Sequence, residues 1–460
     1  EWNPDTMTDI MFRPSFTYST NDSRSSSMSA SYNKDPYLYV SDPLSEESIK
    51  KLAQDSLMVN TQDNNGISYS DSKNLSGMLQ YNRKLNNKGR NFTLRADGSI
   101  GESSSTSLTT NAVHLYLMKT ALGLDSTYQT NRYNLMPTKN RSYSLQGTYS
   151  EPIAKATYLQ FSYQFTYNYS RSDRSTYDFS HLGENFFSSV EPVYRGWDRY
   201  LDLLPNALDT YLDNNLSRYS VYQNYIHNFQ LMLRLIRSKY QLNAGVMLQP
   251  QNTKYKQNYM GVSVDTTRTV TNFSPTLDFR YKFSPISYLR VNYRGTSTQP
   301  SMSQLLDITD DSDPLNISKG NPGLKPSFTN TLRLFYNNYM QKHQRALMTY
   351  VNYSTTSNSI SNKVTYDETT GGRTTTPENI NGNWNAMGAF MFNTAIDTTG
   401  YFSVNTFTNL NYNHYVSYLS LDKNSDSQKN TTRTFTIGER LGGDFRNSWL
   451  EIGPDGTVNY

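Results

Sequence analysis

The chain has no cysteine in its 460 residues. That excludes disulfide scaffolds, Cys-ligated zinc and iron–sulfur clusters. It also lacks any apolar run approaching the roughly 18 residues that read as a membrane-crossing helix. Neither charge sign is in excess: 43 basic and 39 acidic residues leave +4, too balanced for the basic footprint of a nucleic-acid binder. Charged residues make up only 18%, so this is not a highly charged disordered chain. Apolar residues are also scarce at 35%. Uncharged polar residues fill the gap, and Tyr, at 38, is nearly twice as frequent as Phe, at 20.

The residues that are present alternate. From Tyr158 to Ser170 one parity reads Leu159, Phe161, Tyr163, Phe165, Tyr167, Tyr169, and the other Gln160, Ser162, Gln164, Thr166, Asn168, Ser170. Successive strand side chains point to opposite faces, so one face is aromatic or aliphatic and the other polar. The split recurs over 276–283, 289–294 and 402–412. A soluble sandwich alternates too, but three features favour a transmembrane barrel. The alternating windows are long, as a tilted strand crossing a bilayer (about 9–11 residues) requires. Short turns at 86–89, 151–156, 237–239, 284–287, 341–344 and 397–400 alternate with long polar stretches at 102–140, 171–223, 254–271, 299–326, 363–375 and 416–430, an asymmetry typical of outer-membrane barrels. Aromatics crowd the short turns: Trp2, Tyr158, Tyr240, Phe283, Tyr288, Tyr401 and Phe402. They read as an interfacial girdle, the alternative being aromatic cross-strand pairs.

The expected fold is therefore all-β, a large transmembrane antiparallel barrel. The whole chain, 1–460, reads as one partial barrel of about 15 strands. Glu1-Trp2 runs straight into a turn and Tyr460 stands inside a patterned segment. We therefore expect a piece of a longer protein, whose closing strands come from elsewhere. Short helices are expected at 45–57, with Ser45 as N-cap and Glu46 and Glu47 in the first turn, and at 196–212, with Trp197, Tyr200, Leu201 and Leu204 at helical spacing before Pro205. Tyr-rich loops 34–73 and 171–223 are expected to face outward and meet partners.

Thr298–Leu305 (TQPSMSQL) followed by Gly320–Pro326 (GNPGLKP) resembles a paired signature of TonB-dependent receptor barrels, with Pro300, Gln304, Leu305, Gly320, Asn321, Pro322, Leu324 and Pro326 as its residues. Ser327 stands where that signature has Glu. EWNPDT, RKLNNKGR (83–90), 149–165, 272–284 and 380–394 resemble the Bacteroidota outer-membrane β-barrel proteins related to those receptors. The resemblance implies a barrel of about 22 strands with an N-terminal plug, contact with TonB through a segment outside these residues, and a bulky solute as cargo. The rival it leaves open is a non-transporting scaffold for surface lipoproteins or an envelope assembly or secretion complex. A secreted adhesin solenoid would show a fixed repeat, and none is present.

No HExxH, GxSxG or P-loop spacing occurs, and the histidines (114, 181, 227, 343, 414) lie far apart, so neither an enzyme nor a cofactor is expected. Asp307, Asp310, Asp311 and Asp313 offer oxygen ligands of the kind Ca²⁺ takes, without EF-hand spacing. The preferred reading is a solvated loop facing lipopolysaccharide. Arg95, Arg234, Arg280, Arg290, Arg294 and Arg333 all fall on the polar parity, where a lumen costs them little and lipid would cost about 2–4 kcal/mol. They are expected to pair with Asp97 and Asp278, with plug carboxylates, or with an anionic solute.

Overall fold

The computed structural model describes residues 2–182, 186, 201–305, 309–310, 315–341, 344–420 and 428–460. In chain order the elements begin with β1 (Trp2–Asp5), β2 (Thr8–Tyr32), α1 (Glu46–Gln54), β3 (Met58–Lys84), β4 (Asn91–Lys119), β5 (Asp125–Ala154) and β6 (Thr157–Asp178). Next come β7 (Arg218–Ile236), β8 (Tyr240–Tyr259), β9 (Val262–Ser284), β10 (Ser287–Thr298), α2 (Met302–Leu305), β11 (Thr309–Asp310) and β12 (Asn316–Lys319). The last are β13 (Ser327–Met340), β14 (Arg345–Ser357), β15 (Ser359–Tyr366), β16 (Arg373–Ile380), β17 (Asn383–Ala395), β18 (Phe402–Ser420), β19 (Gln428–Arg446), β20 (Glu451–Ile452) and β21 (Asp455–Asn459). All the strands join one sheet. Its long members pair antiparallel in the order β2 to β10, then β13, β14, β17, β18 and β19, with β21 on the far edge. This is the expected all-β barrel wall.

Register carries one apolar face around the whole sheet. A single row runs Phe161, Leu231, Val246, Pro275 across β6 to β9, and the next runs Leu159, Leu233, Ala244, Leu277, Tyr293, Leu332, Tyr353 as far as β14. These side chains are not a buried core: Leu145, Phe161 and Leu231 are 52%, 48% and 47% exposed. A contiguous apolar surface of this extent requires an apolar neighbour, and in a barrel wall that neighbour is lipid. His227 and Glu439 are among the polar side chains on this face, and both are hydrogen-bonded. His227 Nδ1 lies 2.9 Å from the Tyr163 hydroxyl, and Glu439 accepts from Thr406 and, at 2.5 Å, from Thr408.

At one end the strands turn tightly. Gly89 holds φ +100 with the Tyr158 ring 2.6 Å from where a Cβ would sit, so only glycine suits that turn. Between β17 and β18, Asp397 accepts from the Thr399 hydroxyl and from the backbone N–H groups of Phe402 (2.8 Å) and Tyr401 (3.0 Å). The Thr399 hydroxyl first, and then these amides, pull its carboxyl from 3.8 down to about 2. A lowered folded-state pKa gives stabilisation that is complete above the unfolded value and lost as pH falls through the folded one. We therefore expect the Tyr401 and Phe402 amides to be protected relative to Asp397→Asn above pH 4. The difference should shrink as pH falls towards 2 and vanish below it in hydrogen-exchange mass spectrometry.

At the other end the structure departs from expectation. Most of 102–140 and 254–271 is strand, as are the two ends of 171–223, at 171–178 and 218–223: β4 and β5 run 29 and 30 residues, and β8 meets β9 through Met260 and Gly261 alone. These upper ladders are rich in Ser, Thr and Asn, so no sustained apolar alternation marks them. The expected strands 345–362 and 376–395 each split, at Asn358 (φ +50) and at Gly382 (φ +119). The β15–β16 hairpin this creates pairs parallel with β12 and β18. Helix α1 forms where expected, the Ser45 hydroxyl accepting from Ser48 N–H at 3.3 Å. In the second expected helix, Trp197 and Tyr200 lie outside the described residues. Leu208–Tyr211 is a 3-10 turn, since Pro205 denies the chain a continuous helix. Tyr211 packs with Leu108, Tyr133, Tyr177 and Phe179 in an apolar cluster among these upper strands.

Candidate functional site

The polar face gathers the expected arginines. Arg234, Asn243, Asp278, Asn292 and Arg333 stand in one cross-strand row over β7 to β13. Arg290 grips Asp278 at 2.9 and 2.5 Å. Arg280 sits directly opposite Arg290 and instead lays its guanidinium over the Tyr288 ring, 4.0 Å from the centroid. Arg95 takes Asp97 at 2.8 Å, and Arg333 donates to Asn352 at 3.2 Å. Arg234 and Arg294 have no ion pair among the described residues. Such half-exposed pairs are worth about 0–1 kcal/mol. Their main effect is electrostatic, because five arginines against Asp278 leave this sector positive.

Above the arginines the same face carries a chain of amides. Gln299 donates to Asn272 Oδ1 (2.8 Å), Asn272 to Gln249 Oε1 (2.9 Å), Gln249 to Asn228 Oδ1 (2.7 Å), Asn228 to Gln164 Oε1 (3.1 Å), and Gln164 to Ser144 (2.8 Å). Arg268 heads the relay by donating to Gln299 Oε1 at 3.4 Å. Each amide donates and accepts in one direction, which polarises the next. Asn224 and Thr253 pair beside it at 3.1 Å, both buried.

A recess of about 560 Å³ opens along this relay, lined by Tyr222, Gln249, Tyr255, Arg268, Asn272 and Gln299 among others. The signature segment closes it from above. Pro300, Ser301 and Ser303 line it, and Ser301 and Gln304 form a reciprocal cap on α2: Gln304 N–H donates to Ser301 Oγ (3.3 Å) and Ser301 N–H to Gln304 Oε1 (3.0 Å). Asn321 N–H donates to the Gln304 carbonyl at 2.6 Å, and its side chain donates to Pro377 O at 2.9 Å. Gly320, Asn321 and Pro322 make the turn, Leu324 is buried at 5%, Leu305 closes α2, and Pro326 leads into β13. The signature thus builds the roof of a recess.

The aromatic set divides. Trp2, Tyr240, Phe283 and Phe402 share the parity of the apolar face, and Tyr401 lies in the turn before β18. Tyr158 and Tyr288 are corrected to the polar face, opposite Arg234 and under Arg280 respectively. Each precedes its strand's apolar run by one residue, and the pleat turns it inward. Of the acidic cluster, Asp307, Asp311 and Asp313 lie outside the described residues, and Asp310 pairs with Ser318 in the β11–β12 ladder. Sequence reasoning did not single out the amide relay or Arg268. Its amides belong to five different segments that only register brings together, and Arg268 lay in a stretch read as loop.

Comparison with curated proteins finds no match. Among solved structures, the alcaligin outer membrane receptor FauA of Bordetella pertussis is 10% identical at TM-score 0.35, over 98% of this chain and 75% of its own. The ferric yersiniabactin uptake receptor FyuA of Yersinia pestis is 9% identical at TM-score 0.39, over 88% and 60%. The siderophore receptor PirA of Pseudomonas aeruginosa is 12% identical at TM-score 0.36, over 100% and 73%. The family described as the outer membrane protein beta-barrel family matches residues 83–449. On that match, with the register-continuous apolar wall, the chain belongs to the outer membrane protein beta-barrel family and resides in the bacterial outer membrane.

Proposed function

We propose that this barrel captures a bulky solute at its outer end and admits it to the lumen, as a Bacteroidota relative of the TonB-dependent receptors, with TonB contacted through sequence beyond these residues. The reading involves no catalysis. The polar face is its lumen wall, and the long hairpins face outward. The observation that carries it is the recess of about 560 Å³, a volume suited to a small ligand, on the polar face at the long-hairpin end of the wall. A barrel that only held lipoproteins or an assembly complex would have no use for a polar recess inside its wall.

A strain lacking the protein should leave one class of solute unconsumed in its spent medium, and complementation should restore consumption. A depletion profile identical to the parent's, with a surface lipoprotein lost from the membrane fraction, would replace transport with the scaffold reading.

A further inference from the structure

The geometry points to the recess beside the amide relay as a binding site for an acidic oligosaccharide, a hydroxylated chain bearing a carboxylate. This rests on the lumen reading above and names its cargo.

Three features set the ligand's chemistry. First, the relay commits only one N–H of each amide. That leaves Gln249, Asn272 and Gln299 each a second N–H and spare oxygen lone pairs toward the recess. A wall that both donates and accepts suits hydroxyl groups, which do the same. Second, the rings of Tyr222 and Tyr255 flank the lining, while its aliphatic surface is confined to Val270 and Pro300. Aromatic faces suit the C–H faces of sugar rings, and the little aliphatic surface gives peptide side chains poor anchorage. Third, Arg268 lines the recess, makes no ion pair among the described residues, and holds its Nη1 out of solvent without a hydrogen-bond partner. An unmet buried charged donor is costly, and a planar carboxylate is its best complement. The lining contains no carboxylate to repel such a group.

Full-length protein in detergent, titrated calorimetrically with trigalacturonic acid, maltotriose and tri-serine, tests this. Trigalacturonic acid should bind at least about tenfold more tightly than maltotriose. Arg268→Gln should bring the two within about threefold, because trigalacturonic acid loses far more affinity than maltotriose. Asn272→Ala, which cuts the relay, should weaken both sugars. Each variant must first show the heat-modifiable band of a folded barrel. If Arg268→Gln does not, Arg268→Lys, which keeps the charge but not the fork, should lose most of the preference.

Four results would each overturn the assignment: equal affinity for the two sugars, a preference that survives Arg268→Gln, tighter binding of tri-serine, or no heat with any probe. Binding is read without transport, so a barrel that binds trigalacturonic acid but depletes no solute from the medium would fail as a transporter and still keep this site.

Discussion

Leu231→Arg should reduce the stability of the refolded barrel in lipid vesicles by about 2–4 kcal/mol, the cost of an arginine at the bilayer midplane. That is roughly a 30- to 1,000-fold fall in the folding equilibrium constant. Leu231 lies five residues from the short-turn end of β7, level with Phe161 on one side and Val246 on the other, and is 47% exposed. Its surroundings in the membrane are lipid tails, with no carboxylate in that row to pair with a guanidinium. The adjacent Gln230 points to the polar face, level with Ser162 and Met247. Gln230→Arg should stay within about 1 kcal/mol, as substitutions away from packed or desolvated sites do. Urea titrations read by heat-modifiable mobility give both values. Equal losses at 230 and 231 would mean that the two faces do not have different solvents, and the membrane assignment of the wall would fall.

That contrast between neighbouring residues explains what the sequence disclosed. Wherever one face meets lipid and the other water, selection on side chains is two-sided, and the strand is legible: the alternation read over 159–170 lies within β6, while Tyr158, read as part of the girdle, stands on the polar face opposite Arg234. Above the apolar band neither face is uniformly apolar, and only scattered side chains such as Leu108 and Tyr133 are buried. The ladder from Ser103 to Ser107 against Asn134 to Thr138 is held by backbone hydrogen bonds and carries no period, so it was read as loop. The arginines were legible because a charge on the wrong parity would be costly. The amide relay was not, because Gln164, Asn228, Gln249 and Asn272 are ordinary polar-parity residues until register sets them side by side. The signature segment was legible as a motif, but its physical role was not. Ser301 and Gln304 cap each other, a local device that also fixes where Pro300 and Gln299 stand over the recess.

The relay in turn depends on how closely β7 and β8 approach, and at Gly245 that approach leaves no room for a Cβ. A Cβ there would lie 2.7 Å from the Leu231 carbonyl oxygen and 3.2 Å from both Cα and Cβ of Met232. Two of these three atoms are backbone, so no rotamer change relieves the clash and the strands must separate. We expect Gly245→Val to cost about 1–3 kcal/mol, the usual penalty of overpacking, despite the better strand propensity of valine. The separation should also reach the ligand site. Asn228 and Gln249 meet at 2.7 Å within a gap in the β7–β8 ladder, which resumes in the same register at Phe229 with Leu248, so spreading the strands lengthens that bond. Gly147 is the control. It lies on the apolar face between Leu94 and Tyr163, with nothing within 4 Å of a would-be Cβ. There valine adds apolar surface and β propensity without a clash, and Gly147→Val should be neutral or stabilising by up to about 1 kcal/mol. Urea midpoints of the two variants should therefore move in opposite senses from wild type, or only the Gly245 variant should move. A shared loss of similar size would show that glycine is needed for backbone freedom at both sites, and that close strand approach is not what Gly245 provides.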